Sequence, residues 1–226
     1  MKLAVAIAAK DALPSAFVVW RGFEESIKKA REYGYHGVEL ALKTADDVNP
    51  EELTKWLDKY HMEVSCISTG QVFAALGLYF THPDREVRQQ TINVFHGLIH
   101  LAKDFGKLVN VGRTRGFIAE GSSYEKTEKL FVETAESICE EAEKCDVTVV
   151  LEPVNRYEIN FVNSLDDGMR LISRVKSHRM GLMPDVFHMN IEDDRIGDSL
   201  IRNAPLIQYI HLADSNRLAP GWGHMN

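Results

Sequence analysis

Short apolar runs alternate with amphipathic runs along the whole chain. The apolar runs are mostly β-branched or aliphatic and do not alternate cleanly between apolar and polar positions. Strands of a parallel sheet are buried on both faces, and this pattern is typical of them. The predicted strands are LAVAIA (3–8), GVEL (37–40), VSCIS (64–68), LVNVG (108–112), VTVVLEP (147–153), MGLMPDV (180–186) and IQYIHLAD (207–214).

The amphipathic runs carry helix-boundary signals. Asn49 stands before Pro50, the usual order of an N-cap and a first helical residue. The run 23–34 has acidic residues early, basic residues late and a glycine at its end, as the helix dipole and C-cap favour. The predicted helices cover 23–34, 49–61, 84–106, 124–146, 164–177 and 194–205.

This order of elements favours parallel strands joined by right-handed crossovers. A doubly wound fold would place a glycine-rich turn after the first strand, but AAKDALPSAF there contains no glycine. A complete eight-stranded barrel needs about 250 residues. We therefore predict an α/β fold, a (β/α)8-type TIM barrel that is C-terminally incomplete with about seven strands, in a single domain over residues 1–226.

Composition narrows the class of protein. The formal net charge of −7 argues against nucleic acid as a partner, because phosphate binding depends on a surplus of Lys and Arg. No apolar run approaches the roughly 20 residues of a membrane span. The first apolar run is followed directly by Lys10 and Asp11, so we interpret it as a strand rather than a signal peptide. Three cysteines without a CxxC motif predict reduced thiols and a cytoplasmic location.

Three of the later predicted strands run into potential metal ligands, namely Glu152, Asp185 and His211. Because the carboxyl ends of barrel strands share one mouth, these side chains are expected to meet. Two carboxylates and an imidazole suit Mn²⁺, Mg²⁺, Co²⁺ or Zn²⁺. The alternative is that such acids only cap helices or pair with arginine.

Each of these residues is followed three to six positions later by a second polar residue, namely Glu158, His188 and Arg217. The segments EPVNRYEINFVNS (152–164), PDVFHMNIED (184–193) and HLADSNRLAPGWGH (211–224) carry a specific resemblance. They resemble the xylose isomerase-like TIM-barrel superfamily, and within it the ketose 3-epimerase (D-tagatose and D-psicose 3-epimerase) type. The resemblance extends over the whole chain.

The resemblance implies a role for each of these residues. Glu152 is expected to bind the metal and to transfer a substrate proton as the catalytic residue. Asp185 and His211 are expected to complete the metal ligands on this chain. The remaining three positions are expected to contact the substrate: Glu158, His188 and Arg217.

The implied function is that of a metal-dependent sugar isomerase or epimerase. Proton transfer by a carboxylate would pass through an enediolate at a divalent metal, with Mn²⁺ ranked ahead of Mg²⁺, Co²⁺ and Zn²⁺. The expected partner is a small sugar, in a homo-oligomer that binds neither nucleic acid nor membranes.

Several alternatives stay open. The family carries a second metal-bound glutamate on its eighth strand, for which the sequence up to Asn226 has no counterpart. A truncated, non-catalytic metal-binding relative with weakened metal affinity and weak or absent epimerase turnover is therefore one alternative. A hydroxypyruvate or inosose isomerase-type enzyme is another. An endonuclease IV-like nuclease would need a histidine-rich trinuclear zinc site and a basic face, which the charge disfavours.

Two arginines follow the fourth predicted strand, Arg113 and Arg115. At the mouth of a barrel they are candidates for contacting a phosphate, and a structural salt bridge is the competing interpretation. Cys66, near the end of the third strand, is a candidate for the pocket border.

Overall fold

All strands in the described part of the chain form one parallel sheet. The computed structural model describes residues 1–13, 18 and 20–225. The sheet has the order β2-β1-β3-β4-β5-β6-β7. The strands are β1 Ala4–Ala8, β2 Trp20–Arg21, β3 Gly37–Ala41, β4 Glu63–Ser68, β5 Leu108–Val111, β6 Thr148–Leu151 and β7 Met180–Leu182.

Eight α-helices lie between or after these strands in the described part of the chain. They are α1 Phe23–Glu32, α2 Pro50–Tyr60, α3 Gly70–Leu76, α4 Arg85–Ala102, α5 Tyr124–Cys145, α6 Leu165–Ile172, α7 Val186–Glu192 and α8 Ile196–Asn203. The parallel sheet with its helices confirms the predicted α/β TIM-barrel fold, and its seven strands fit an incomplete barrel.

The helix starts predicted at Asn49 and Ser164 are confirmed by their caps. The side chain of Asn49 accepts hydrogen bonds from the backbone N–H groups of Glu51 and Glu52 at 2.9 and 3.1 Å. Ser164 forms a capping box with Asp167 at the start of α6. Such caps satisfy backbone donors that have no partner within the helix.

The described part of the chain has seven strands, as predicted, but one of the seven is not among the predicted strands. The two-residue β2 was not predicted, while the predicted strand at 207–214 forms only two isolated bridges, Leu182 with Ile207 and Asp185 with His211. Pro184 has no N–H to donate, so the ladder beside β7 cannot continue through it. The segment 207–214 nevertheless lies alongside β7.

Two helices were missed by the sequence interpretation. Helix α3 begins one residue after β4, and α7 begins at Val186, the last residue of a predicted strand. The carboxylate of Asp185 explains the second case, because its Oδ1 accepts a hydrogen bond from the N–H of Phe187 at 2.8 Å and caps α7. Strand β7 therefore ends at Leu182, four residues earlier than predicted.

The apolar core includes a row of aromatic side chains in contact with one another. Phe80 lies 5.0 Å from Phe95 and 5.5 Å from Phe131 between ring centroids, and Phe131 lies 6.2 Å from Phe161. All four side chains have no exposed surface. Aromatic pairs in this geometry stabilise the fold beyond the area that they bury, and here they fasten α4 and α5 to the loops that lead into the site.

The inner side of the sheet encloses a cavity of about 1740 Å³. Its lining extends from Lys2 and Glu63 near the amino ends of the strands to Glu152 and His211 near their carboxyl ends. Within the described residues, no ladder joins β7 to β1 or β2, so the sheet is open on that side. Asn226, which the sequence interpretation singled out, lies outside the described residues.

No helix in the described ranges combines the length and the apolar character that a membrane crossing demands.

Candidate metal centre and adjoining polar cluster

Glu152, Asp185 and His211 come together at the carboxyl ends of the strands. One potential ligand atom from each of the three lies within 4.8 Å of the other two. Glu152 follows β6 directly, and Asp185 stands between β7 and α7. His211 is fixed beside them because its N–H donates to the carbonyl of Pro184 at 2.9 Å, and its carbonyl accepts from Val186 at 3.1 Å.

Both oxygens of Glu152 have fixed partners. Oε1 lies 2.9 Å from Nδ1 of His211, and Oε2 accepts a hydrogen bond from Nδ2 of Asn110 at 2.9 Å. A Cβ atom at Gly112 would approach Oε2 to 2.7 Å, so a side chain at that position would push the carboxylate away. Asn110 and Gly112 therefore set the orientation of Glu152 from the neighbouring strand β5 and its exit.

A fourth ionisable residue, Glu39, joins this group from β3. Its Oε2 lies 2.9 Å from Nε2 of His211, and only 3% of the residue is exposed. The sequence interpretation noted the segment 37–40 but assigned Glu39 no role. The sequence signal for Glu39 was a single carboxylate within a predicted strand. In the structure every position of that strand is buried, and a fully buried glutamate almost always has a partner.

The charges in this group shift one another's pKa values. Although burial opposes it, the carboxylates of Glu39 and Glu152 raise the pKa of His211 well above its usual value. Burial also works against ionisation of Glu152, but His211 lowers the pKa of that carboxyl group overall. Burial, reinforced by the charge of Glu152, raises the pKa of Asp185. Without a metal, the imidazolium of His211 thus compensates part of the acidic charge.

Glu158, His188 and Arg217 form an adjoining polar cluster. The Arg217 guanidinium lies 3.6 Å from Oε1 of Glu158 and 3.1 Å from Nε2 of His188. Asn155 connects the other two members, since its Nδ2 lies 3.1 Å from Oε1 of Glu158 and 2.8 Å from Nδ1 of His188. Burial lowers the pKa of His188, so its imidazole is neutral at pH 7.

Asp185 connects the two groups. Its Oδ2 lies 4.0 Å from Nδ1 of His211 on one side. On the other side the same oxygen lies 3.8 Å from Nε2 of His188 and 3.8 Å from Nη2 of Arg217. All six residues predicted for the site are therefore brought together in one continuous arrangement, and all six line the cavity together with Glu39.

The loop that carries Arg217 is organised by Asp214. The Asp214 carboxylate is 1% exposed and accepts hydrogen bonds from the N–H groups of Ser215, Gly221 and Met225 at 2.7, 2.8 and 3.2 Å. These backbone donors lower the pKa of the carboxyl group. Asp214 thus acts as the centre of the turn from which Arg217 extends.

Arg115 has neither of the two roles expected from the sequence, a phosphate contact or a structural salt bridge. It is fully buried, and its guanidinium donates to the carbonyl oxygens of Gly112, Glu152, Phe161 and Val162 at 2.7 to 3.1 Å. Burial lowers its pKa to about 9, which still leaves it charged at pH 7. Arg115 holds the backbone of Glu152 in place, and its donors are directed at carbonyls rather than at the cavity.

Two further candidates have structural explanations. Cys66 is fully buried and packs with Val150 and Met183, and burial, together with Glu39 and Glu152, raises the pKa of its thiol. A second group with ligand-like spacing, His100, Glu141 and Cys145, lies on α4 and α5. There Glu141 already forms ion pairs with His100 at 2.9 Å and Lys144 at 2.8 Å.

The donor set at the strand ends fits a divalent cation. Glu152 and Asp185 offer carboxylate oxygens and His211 offers Nδ1, all facing the same small volume. Two negative charges with one imidazole match the preferences of Mn²⁺, Mg²⁺, Co²⁺ and Zn²⁺. A cation would also replace the positive charge that His211 supplies when it is protonated.

Comparisons with known proteins find sugar epimerases among the relatives of this chain. A probable ketose 3-epimerase from Synechocystis is 26% identical over 221 residues, which are 91% of this chain and 75% of that protein. A D-psicose 3-epimerase from Agrobacterium fabrum is 34% identical over 94 residues, or 42% of this chain and 32% of that protein. Both alignments leave part of the relative's length unmatched.

Solved structures show the same fold. The crystal structure of D-psicose 3-epimerase with D-tagatose from Clostridium cellulolyticum H10 has a TM-score of 0.82 at 20% identity, covering 99% of this chain and 77% of that one. The structure of 3-keto-D-glucoside 4-epimerase from E. coli has a TM-score of 0.83 at 20% identity, covering 100% of this chain and 84% of that one.

The family itself follows from a profile match over most of the chain. A family profile described as xylose isomerase-like TIM barrel matches residues 27–226, which is most of the chain. Together with the parallel sheet and its helices, this match shows that the chain belongs to the xylose isomerase-like TIM barrel family.

Proposed function

We propose that this protein is a carbohydrate isomerase or epimerase of the ketose 3-epimerase type, with Glu152 as the catalytic residue. The observation that carries the proposal is the position of Asp185 between two groups of different chemistry. On one side are Glu152 and His211, which could hold a cation together with it. On the other side are His188 and Arg217, each 3.8 Å from the Asp185 carboxylate.

Glu152, Asp185 and His211 would hold the metal in this function. A divalent metal supplies Lewis acidity, which stabilises negative charge on a substrate oxygen and so makes the neighbouring C–H more acidic. Mn²⁺ is our first choice because carboxylates dominate the donor set, with Mg²⁺, Co²⁺ and Zn²⁺ as alternatives.

Glu152 would accept the proton from that carbon. Its pKa is lowered, so it is ionised at neutral pH and able to act as a base. Asn110 donates a hydrogen bond to the carboxylate, and Gly112 leaves room for it because it has no side chain. Both favour one orientation, which is what a proton transfer over a short distance requires. Return of a proton to the opposite face of the same carbon yields the epimer, whereas its return to the neighbouring carbon yields an isomer.

Glu158, His188 and Arg217 would bind the hydroxyl groups of the sugar. Glu158 accepts hydrogen bonds, Arg217 donates them, and the neutral His188 has one ring nitrogen of each kind. Such a mixed set matches hydroxyl groups, which both donate and accept. The proposal therefore takes a small uncharged ketose as the substrate class.

A direct test follows the substrate C–H bond rather than the product alone. The metal-loaded protein is incubated in D₂O with D-fructose, D-psicose and D-tagatose, and deuterium at C3 is measured by NMR alongside the yield of epimer. We expect exchange at C3 with Mn²⁺ or Co²⁺ and none with the Glu152→Gln variant. A wild-type protein that binds the metal but exchanges no substrate hydrogen would refute the proposal, and exchange at C1 would point to an aldose–ketose isomerase.

Three broader properties belong to the same proposal. We propose a single catalytic domain over residues 1–226, a homo-oligomeric assembly and a cytoplasmic location. The last is supported by the cysteines, since Cys66, Cys139 and Cys145 are buried free thiols.

A further inference from the structure

Glu39 occupies a position that the proposed reaction does not use. It lies inside β3, is 3% exposed, and directs Oε2 at Nε2 of His211 over 2.9 Å. The opposite ring nitrogen, Nδ1, is directed at Glu152, 2.9 Å away, and at Asp185, 4.0 Å away. The two sides of the imidazole thus have separate partners.

Residues other than His211 also restrict the Glu39 carboxylate. Burial and the nearby Glu39 carboxylate raise the pKa of the Tyr209 hydroxyl, and Oγ of Ser65 lies 2.9 Å from the same hydroxyl. Ser65 in turn donates to the carbonyl of Val38, the residue before Glu39, at 3.1 Å. Because these partners come from the neighbouring strand β4 and from the 207–214 segment, Glu39 has little freedom to turn away from His211.

We infer that Glu39 is a positioning residue, which accepts the Nε2–H of His211 and thereby presents the lone pair of Nδ1 to the metal. The inference rests on the metal centre of the proposed function. A neutral imidazole carries one proton, and the hydrogen bond made by one nitrogen decides which nitrogen is left to bind a metal. Partners of this kind also fix the orientation of the ring, and their loss typically costs about 10- to 100-fold in metal affinity.

The alternative tautomer would be unproductive here. With the proton on Nδ1, the imidazole would direct an N–H at the volume shared with Glu152 and Asp185, and its lone pair would face the Glu39 carboxylate. Two acceptors would then oppose each other in a buried site, which is unfavourable. The position of Glu39 therefore favours the Nδ1-binding tautomer when a metal takes the place of the Nδ1 proton.

The test compares two substitutions of different chemistry at Glu39. Glu39→Leu removes the acceptor and keeps much of the volume, whereas Glu39→Gln keeps a carbonyl oxygen able to accept the Nε2–H. Glu63→Leu is the matched control, because Glu63 is a half-exposed acid on the adjacent strand β4 whose partner is Lys2. Zn²⁺ affinity is measured by competition with a chromophoric chelator, and thermal unfolding and circular dichroism check the fold of each variant.

A spectroscopic readout separates positioning from a merely structural effect. In ¹⁵N-histidine-labelled, Zn²⁺-loaded protein, we expect His211 to bind through Nδ1 and to show a slowly exchanging Nε2–H. In Glu39→Leu we expect rapid exchange of that proton and an affinity about 10- to 100-fold lower. Glu39→Gln should lose less affinity than Glu39→Leu, and Glu63→Leu should match the wild type.

Three results would overturn the inference: Zn²⁺ affinity unchanged in both Glu39 variants, His211 bound through Nε2, or no Zn²⁺ bound by the wild type. If Glu39→Gln folds but Glu39→Leu does not, the exchange rate and affinity of Glu39→Gln decide. The proposed sugar chemistry is judged separately. Metal binding that depends on Glu39 without exchange at C3 would support the inference and refute the epimerase function.

Discussion

Oε1 of Glu152 and Nδ1 of His211 lie 2.9 Å apart, although 59 residues separate them in the chain. The pair joins the end of β6 to a segment whose backbone forms hydrogen bonds with residues 182–186. Its geometry brings the proposed base and a proposed metal ligand into direct contact. The following predictions test what each part of this arrangement contributes.

Glu152→Gln should abolish most of the catalysis while preserving the fold. The substitution keeps the shape and the hydrogen bond with Asn110, but it removes the base, and positioned bases contribute about 10²- to 10⁴-fold to rates. We expect C3 exchange to fall by at least this factor. Steady-state and exchange assays on metal-saturated protein provide the measurement. The exposed Glu120, replaced by Gln, is the control, and an equal loss in both variants would contradict the assignment.

Arg217→Lys should weaken sugar binding more than it slows the chemistry. Lysine keeps the charge but cannot contact Glu158 and His188 with two nitrogens at once. Hydrogen bonds to charged groups are worth about 1.5–3 kcal/mol, which corresponds to roughly a 10- to 100-fold rise in KM. Kinetics over a range of ketose concentrations measure the effect. A fall in kcat at unchanged KM would instead assign Arg217 to the reaction step.

Arg115→Lys should destabilise the protein without touching the ligands. The amine has three donors where the guanidinium serves four carbonyl oxygens, so buried acceptors lose their partners. We expect a loss of about 2–4 kcal/mol in the free energy of unfolding, measured by denaturant titration. The exposed Arg195, replaced by Lys, should change it by less than about 0.5 kcal/mol. Equal stability of the two variants would show that water replaces the buried donors.

The order of the loop around Asp214 should be lost only when the pH falls. Backbone donors lower the pKa of Asp214 in the folded state, so its stabilising effect is present above the unfolded pKa. That effect is lost as the pH falls through the lower folded value. We therefore expect the wild-type loop to stay ordered between pH 7 and 5.

The Asp214→Asn substitution imitates protonation at neutral pH. Trypsin should cut faster after Arg217 in this variant than in the wild type, because the amide keeps one acceptor oxygen and turns an NH₂ group toward N–H groups that the carboxylate had accepted from. Replacement of the exposed Asp198 by Asn serves as the control. Identical cleavage in all three proteins would show that other contacts hold the loop.

Local signals predicted much of the fold and all six proposed site residues. Caps such as Asn49 depend on neighbouring residues only, so the chain reveals them directly. The meeting of Glu152, Asp185 and His211 followed from the shared mouth of parallel strands. Helix α7 was missed because Asp185 was assigned to a strand end, although an aspartate there is equally a helix cap.

The contributions of Glu39 and Arg115 depend on contacts between distant parts of the chain. Glu39 meets His211 across 172 residues, and Arg115 meets Phe161 across 46. A buried carboxylate in a strand indicates that some partner exists, since an unpaired buried charge is costly. It does not say which partner. The pairing of β7 with 207–211 likewise depends on Pro184 and on the packing around it.

The two oxygens of the Asp185 carboxylate have different tasks. Oδ1 caps α7, while Oδ2 faces the cation site, and His188 lies one turn into the same helix. A cation bound by this carboxylate would therefore also act on the first turn of α7, which carries His188, the histidine proposed to bind the sugar. By thermodynamic linkage, the ion and the sugar should each strengthen the binding of the other by the same factor. Asp185 would make the centre a coupled sensor of both ligands, in which neither affinity has a fixed value without the other.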